Sequence, residues 1–127
     1  MTANLSSLDK QWLVEKAEEI LTNAKGQRAF RGQTSQLRNL LQIAQSESEI
    51  TVLRNFVRYQ SGRRATRAFW QLIVDDLVAV LEEIGKRYPD EDLRRRALLS
   101  FFGYLVRHYV YLSEVVEAPR SGAEARR

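Results

Sequence analysis

Apolar residues recur at three- and four-residue intervals through five long segments of this 127-residue chain. This spacing places apolar side chains on one face of a helix, so it predicts amphipathic helices rather than strands. Only two prolines and six glycines are present, which favours long regular elements. We therefore predict an all-α fold, a compact bundle of about five helices with short loops.

Local signals set the expected ends of these helices. Ser6 with Asp9 predicts an N-terminal cap for the first helix, and Gly26 predicts its end. Ser46 and Glu49 fit a capping box, which predicts that the third helix follows the second at once. The predicted helices span residues 8–25, 34 or 35 to 45, 46 or 47 to 62, 64–86 and 90–116.

The length of the chain is that of one domain. We expect residues 1–117 to form a single helical domain and residues 118–127 to form a disordered C-terminal tail. The first residues lack a basic segment followed by an apolar one, which predicts a cytoplasmic protein. Segment 97–112 is apolar nearly all round but is shorter than the roughly 20 residues of a membrane span, so it predicts a core helix.

Several classes of function are disfavoured by composition. The chain has no cysteine and one histidine, which excludes disulfides, thiolate metal sites and multi-histidine metal sites. It has no phosphate-binding G-x-x-x-x-G-K-S/T loop. The adjacent acids at 75–76 and 82–83 diverge by about 100° on a helix, so neither pair shares one site. We expect no catalytic activity, no cofactor and no metal.

The positive charge is concentrated in residues 28–67, called here the basic window. The chain has a net charge of +4, but this window has eight arginines and only two acids. No arginine in it has an acid three or four residues away, whereas Arg87, Arg94 and Arg95 each do. The eight arginines are Arg28, Arg31, Arg38, Arg54, Arg58, Arg63, Arg64 and Arg67.

Some of these arginines stand where local electrostatics disfavours them. Arg54 and Arg58 are a like-charge i,i+4 pair. Arg63, Arg64 and Arg67 lie near the predicted start of the fourth helix, where the helix dipole is already positive. Such placement predicts an external anion, and repeated phosphates along a nucleic-acid backbone would supply it. The alternatives are a solubilising role, or pairing with acids of other helices such as Glu15, Glu19, Asp75 or Asp76.

Two groups of aromatic residues are further candidates. Phe30, Tyr59 and Trp70 interleave with the basic residues and are candidates for base stacking, although a helical core needs such residues too. In the last helix, aromatic residues at i+3 and i+4 steps predict either core packing or a patch that meets another subunit. The residues of that second group are Phe101, Tyr104, His108 and Tyr111, of which His108 fits an interface or core better than a catalyst.

Residues 33–64 resemble the small subunit of the Csm effector complex, the type III-A CRISPR interference machinery. One part of the resemblance is T-S-Q-L-R at 34–38, which opens a short helix. The other is R-x-Q-S-G-R at 58–63, which closes the next helix. The order of the helices is also similar over most of the chain.

The resemblance implies a non-catalytic, all-α subunit of an antiviral defence complex. Several copies would stack beside the other subunits, and their basic side would line the channel that holds guide RNA paired to target RNA. The family's basic positions correspond most closely to Arg38 and Arg63, and less closely to Arg58 and Arg64. Arginine contacts to phosphate read no base, so such binding would be independent of sequence.

Two other functions fit the sequence. The chain is alternatively a helical protein-interaction module that works through its aromatic last helix, in which case the basic window would meet an acidic protein. A third possibility is a DNA-binding regulator with a helix-turn-helix made of the second and third helices. The third helix would then present Arg54, Asn55 and Arg58, which are few groups for reading bases.

Overall fold

The spacing of apolar residues produces the five helices that the sequence predicts. A computed structural model describes residues 4–113. It confirms the all-α bundle, and no strand occurs among those residues. A short 3-10 turn, Arg28–Phe30, lies between the first two helices. The helices are α1 (Ser7–Ala24), α2 (Thr34–Ala44), α3 (Ile50–Gly62), α4 (Arg67–Arg87) and α5 (Glu91–Val110).

The two ends of α1 form as predicted. The Ser6 hydroxyl accepts a hydrogen bond from the Asp9 amide at 3.0 Å, and the Asp9 carboxylate accepts one from the Ser6 amide at 2.9 Å. This reciprocal pair satisfies two amides that the first turn would otherwise leave without partners. After the helix, Gly26 has a φ of 94°, a left-handed conformation that glycine adopts without steric cost.

The predicted capping box at Ser46 and Glu49 is wrong. The Ser46 hydroxyl donates to the Ile43 carbonyl at 3.4 Å, so it serves the end of α2. α3 begins only at Ile50, and its first turn has no side-chain cap. The Glu49 carboxylate instead lies 3.5 Å from the Arg94 guanidinium of α5. A short polar side chain can bond to either flanking helix, and here it bonds to the preceding one.

The fourth helix begins three residues later than predicted. Residues 64–66 form a turn, because the Thr66 hydroxyl donates to the Gln60 carbonyl at 2.8 Å and draws the chain back onto α3. At the other end of the chain, α5 ends at Val110 and residues 111–113 form a π-helical turn. The predicted continuation to 116 and the predicted tail at 118–127 lie outside the described residues.

The five helices share one hydrophobic core. α5 packs mainly against α1 and α2, and α4 packs mainly against α3 and α1. The two short helices therefore pack against different long helices, α2 against α5 and α3 against α4. Gly85 permits the close approach of α3 to α4, because a Cβ at this position would lie 2.9 Å from Cγ1 of Ile50.

Tyr109 connects the last helix to the loop before α2. Its buried ring packs against those of Phe30 and Phe69, with centroids 4.8 and 6.0 Å away. Its hydroxyl donates to the Phe30 carbonyl and accepts from the Gln33 amide at 2.8 Å. Phe30 is thus a core residue. Tyr109, which is 76 positions away from Gln33 in the chain, fixes the start of α2.

Tyr109→Phe should lower the free energy of unfolding by about 1–3 kcal/mol, because it leaves a buried carbonyl and a partly buried amide without partners. Urea denaturation followed by circular dichroism measures the change. Tyr111→Phe is the matched control, since Tyr111 is exposed and its hydroxyl makes no hydrogen bond within residues 4–113. Equal stability of Tyr109→Phe and the wild type would contradict this role of the hydroxyl.

A second tyrosine links α1 to the end of α4. The Tyr88 hydroxyl donates to the Asp9 carboxylate at 2.7 Å. Burial, together with this hydrogen bond, raises the pKa of Tyr88 to about 12 from an ordinary value of 10.0. The backbone hydrogen bond from Ser6, and after it the one from Tyr88, lower the pKa of Asp9.

The raised pKa of Tyr88 predicts a loss of stability in alkali. The unfolded chain ionises this phenol from pH 10 upward, whereas the folded chain keeps the proton up to about pH 12. Its contribution to stability is therefore complete below pH 10 and is lost as the pH rises from 10 to 12. Urea unfolding at about pH 9 and about pH 11.5 should show a larger loss for the wild type than for Tyr88→Phe. Equal losses would refute the assignment.

Candidate nucleic-acid interface

The arginines of the basic window lie almost entirely at the surface. Arg54 is half-buried and the other seven are exposed. Because they come from the loop before α2, from α2, from α3 and from the turn before α4, several segments contribute to one charged region of the chain. Seven of the eight side chains are therefore accessible to solvent.

Among the described residues, a larger share of the arginines form ion pairs outside the basic window than inside it. Outside it, Arg87 pairs with Glu83 at 3.5 Å and Arg95 with Glu91 at 3.2 Å, as their spacing predicts. Inside it, six arginines form no ion pair with any residue of the described range 4–113. These six arginines are Arg28, Arg38, Arg58, Arg63, Arg64 and Arg67.

Arg54 differs from these six arginines, because it forms an ion pair with an acid of another helix. Its Nη1 lies 2.8 Å from Oε2 of Glu82 on α4. The antiparallel packing of α3 against α4 brings these residues together although 28 positions separate them. A half-exposed pair of this kind contributes about 0–1 kcal/mol. Arg54 thus follows the alternative of pairing with an acid of another helix, although its partner is Glu82 rather than one of the four acids named for that alternative.

Both motifs of the resemblance stand where the sequence predicts. T-S-Q-L-R opens α2 at Thr34, and R-x-Q-S-G-R closes α3 at Gly62. The glutamine of each motif bonds to the start of α4. Trp70 Nε1 donates to Gln36 Oε1 at 3.1 Å, and the Thr66 hydroxyl lies 3.1 Å from Gln60 Oε1.

Sequence reasoning missed the role of these glutamines. Gln60 is almost fully buried and follows Leu53 and Val57 on the buried face of α3. The sequence did carry a signal of this role, because Gln60 is a polar residue within an otherwise apolar stripe of α3. Arg63 Nη1 also donates to Gln60 Oε1 at 3.2 Å, so the buried amide positions an arginine of the basic window.

The turn before α4 presents positive charge, and no acid within residues 4–113 forms an ion pair with its arginines. The first turn of α4 contains no acid, and Thr66 does not cap it, because its hydroxyl bonds to Gln60. The amides of that turn carry partial positive charge and lie beside exposed arginines. Three arginines surround this end of the helix, namely Arg63, Arg64 and Arg67. This arrangement is suited to a phosphate group.

One of the three stacking candidates is available at the surface. Phe30 and Trp70 are fully buried, whereas Tyr59 is 60% exposed. The guanidinium of Arg63 lies over the Tyr59 ring, 5.6 Å from its centroid. Phe30 and Trp70 are therefore excluded as stacking residues, because the core covers their rings.

An open groove of about 570 Å³ runs between α2 and α3. It is called here the α2–α3 groove. Its wall on α2 is polar, its other wall includes Phe56 of α3, and the buried Gln60 lies at its edge. Residues that line it include Asn39, Gln42, Ile43, Gln45, Phe56 and Gln60.

The aromatic patch predicted on the last helix is smaller than expected. Phe101 is fully buried, because it continues the core stripe of Leu98 and Leu105, so its assignment to an interface is wrong. Tyr111 is 51% exposed and stacks on His108 with centroids 5.9 Å apart. The patch that remains consists of Tyr104, His108 and Tyr111, which line one shallow cavity with Arg107 and Glu18.

The described residues contain no group of three or more histidine, aspartate or glutamate side chains that could hold a metal ion. None of the helices in residues 4–113 has the length and apolar character needed to cross a membrane.

Comparison with protein families, with curated proteins and with solved structures finds no match to this chain.

Proposed function

We propose that this chain is a non-catalytic RNA-binding subunit that holds an RNA backbone through its basic window. One observation carries the proposal: six exposed arginines of the window form no ion pair within residues 4–113, while three of the five described arginines outside it, Arg87, Arg94 and Arg95, are paired. Unpaired cations beside an uncapped helix start are suited to phosphate oxygens, with which guanidinium groups form bidentate hydrogen bonds.

The more specific role that we propose comes from the resemblance of residues 33–64 to the type III-A small subunit. In that role several copies stack within an effector complex beside its other subunits and line the channel of guide RNA and target RNA. The positions of the two motifs at the start of α2 and the end of α3 support this proposal. Arg38 and Arg63, one in each motif, are then the principal phosphate contacts.

Arg38→Ala/Arg63→Ala should weaken the binding of a labelled single-stranded RNA and reduce its salt dependence. Each phosphate contact removed lowers the slope of log affinity against log salt by about 0.7, so the double variant should lose about 1.4. Fluorescence anisotropy across a salt series, begun at low salt, measures both quantities. The expected loss of affinity is the same for unrelated RNA sequences.

The matched control is Arg95→Ala/Arg96→Ala, which removes the same charge from the start of α5. Arg95 pairs with Glu91, and Arg96 donates to Asn4 at 2.7 Å. This control should retain the wild-type slope. If both double variants lose the same slope, net charge rather than the basic window governs binding. If the wild type binds no RNA at low salt, the proposed function is wrong.

The aromatic patch supports a second candidate, a helical protein-interaction module. A half-exposed tyrosine stacked on a histidine offers apolar surface with a polar rim. Under this function Tyr111→Asp should abolish self-association in light scattering and leave RNA binding unchanged. Wild-type protein that is monomeric at all accessible concentrations would exclude the self-associating form of this function.

The DNA-binding regulator loses support. Its reading helix would be α3, whose exposed side offered three groups for base contacts. Arg54 is engaged with Glu82, which leaves Asn55 and Arg58. Two side chains are too few to specify a duplex site in the major groove.

A further inference from the structure

We propose that the α2–α3 groove receives an unpaired nucleobase of the RNA strand whose phosphates the basic window binds. This inference rests on the proposed function and adds a preference for single-stranded over double-stranded RNA. In a channel of guide RNA and target RNA it concerns only the bases that are left unpaired. It follows from three properties of the groove: the chemistry of its walls, the free hydrogen-bonding groups in it, and the charges beside it.

The walls combine apolar surface with amide groups. Phe56 and Ile43 supply apolar surface to the groove, and both are half-buried against the core. Amides of α2 supply donors and acceptors, and each carboxamide carries both kinds of group. Protein sites for unstacked bases have this combination, since the base face needs apolar or aromatic contact and its edge needs hydrogen bonds. The groove volume of about 570 Å³ lies within the range of small-molecule sites.

The amides on α2 are free to bind a ligand. The side chains of Asn39, Gln42 and Gln45 make no hydrogen bond with another residue of the range 4–113. Asn39 and Gln42 lie on an exposed face of α2, and Gln45 follows at the same interval of three residues, directly after the helix ends. By contrast, the side-chain amides of Gln36 on α2 and Gln60 on α3 are bonded to residues at the start of α4. These bonds hold α2 and α3 in place. The helices that form the groove are therefore held in place, while the amide groups of Asn39, Gln42 and Gln45 are exposed to solvent without hydrogen-bond partners among the described residues.

Positive charge at the groove explains why its occupant is a nucleotide. Arg38 precedes Asn39 on α2, and Arg63 donates to Gln60 at the edge of the groove. Both arginines are exposed and neither forms an ion pair within the described residues. A strand whose phosphates contact these arginines would place a base beside the groove. A base within a duplex has its edge occupied by its partner, so only an unpaired base can enter.

The test compares a labelled single-stranded RNA with a duplex of the same sequence. Fluorescence anisotropy of the full chain should give tighter binding to the single strand. Asn39→Ala/Gln42→Ala should weaken single-strand binding about tenfold, the effect of losing two hydrogen bonds, and leave duplex binding unchanged. The salt slope should stay at the wild-type value, because the phosphate contacts are intact.

The control Gln11→Ala/Asn23→Ala removes the same two kinds of amide from exposed positions of α1, outside both the groove and the basic window, and should bind like the wild type. Circular dichroism verifies that both double variants are folded. Equal affinity of the groove variant and the control for the single strand would overturn the inference and leave the proposed function standing. Absence of binding to either RNA would overturn both.

Discussion

The hydroxyl of Tyr109 holds in place the loop with which the basic window begins. It bonds to the carbonyl of Phe30 and the amide of Gln33, and so it ties the loop before α2 to the last core helix. Because α2 starts at once after this loop, its position over α5 is set by the same contact. The Trp70–Gln36 hydrogen bond then joins α2 to α4. The charged surface is thus carried by segments that the core holds in place.

The chain divides its charges between two regions with different electrostatics. The second half of α4 and the first half of α5 contain acids and arginines that pair with each other. The basic window has eight arginines and two acids, and six of the eight arginines form no ion pair inside the described residues. Cations placed close together repel one another and reduce stability. An external polyanion relieves this repulsion, which connects the charge pattern to RNA binding.

Short-range patterns predicted most of the fold, and contacts beyond four residues account for most of the errors. Helix periodicity and the Ser6 cap depend on neighbours within four residues, so the sequence was sufficient for them. The later start of α4 depends on Thr66 bonding to Gln60, and the ion pair of Arg54 depends on Glu82, which is 28 positions away. The α2–α3 groove was not predicted, because its walls come from two helices whose relative position no local pattern specifies.

The central claim is that RNA phosphates bind the unpaired arginines of the basic window. NMR of the arginine side-chain Nε–Hε groups during titration with single-stranded RNA tests it most directly, because it observes each guanidinium. The resonances of Arg38, Arg58 and Arg63 should shift most, while Arg54, already paired with Glu82, and Arg95, paired with Glu91, should shift least. Equal shifts for paired and unpaired arginines, or shifts confined to α5, would contradict the account.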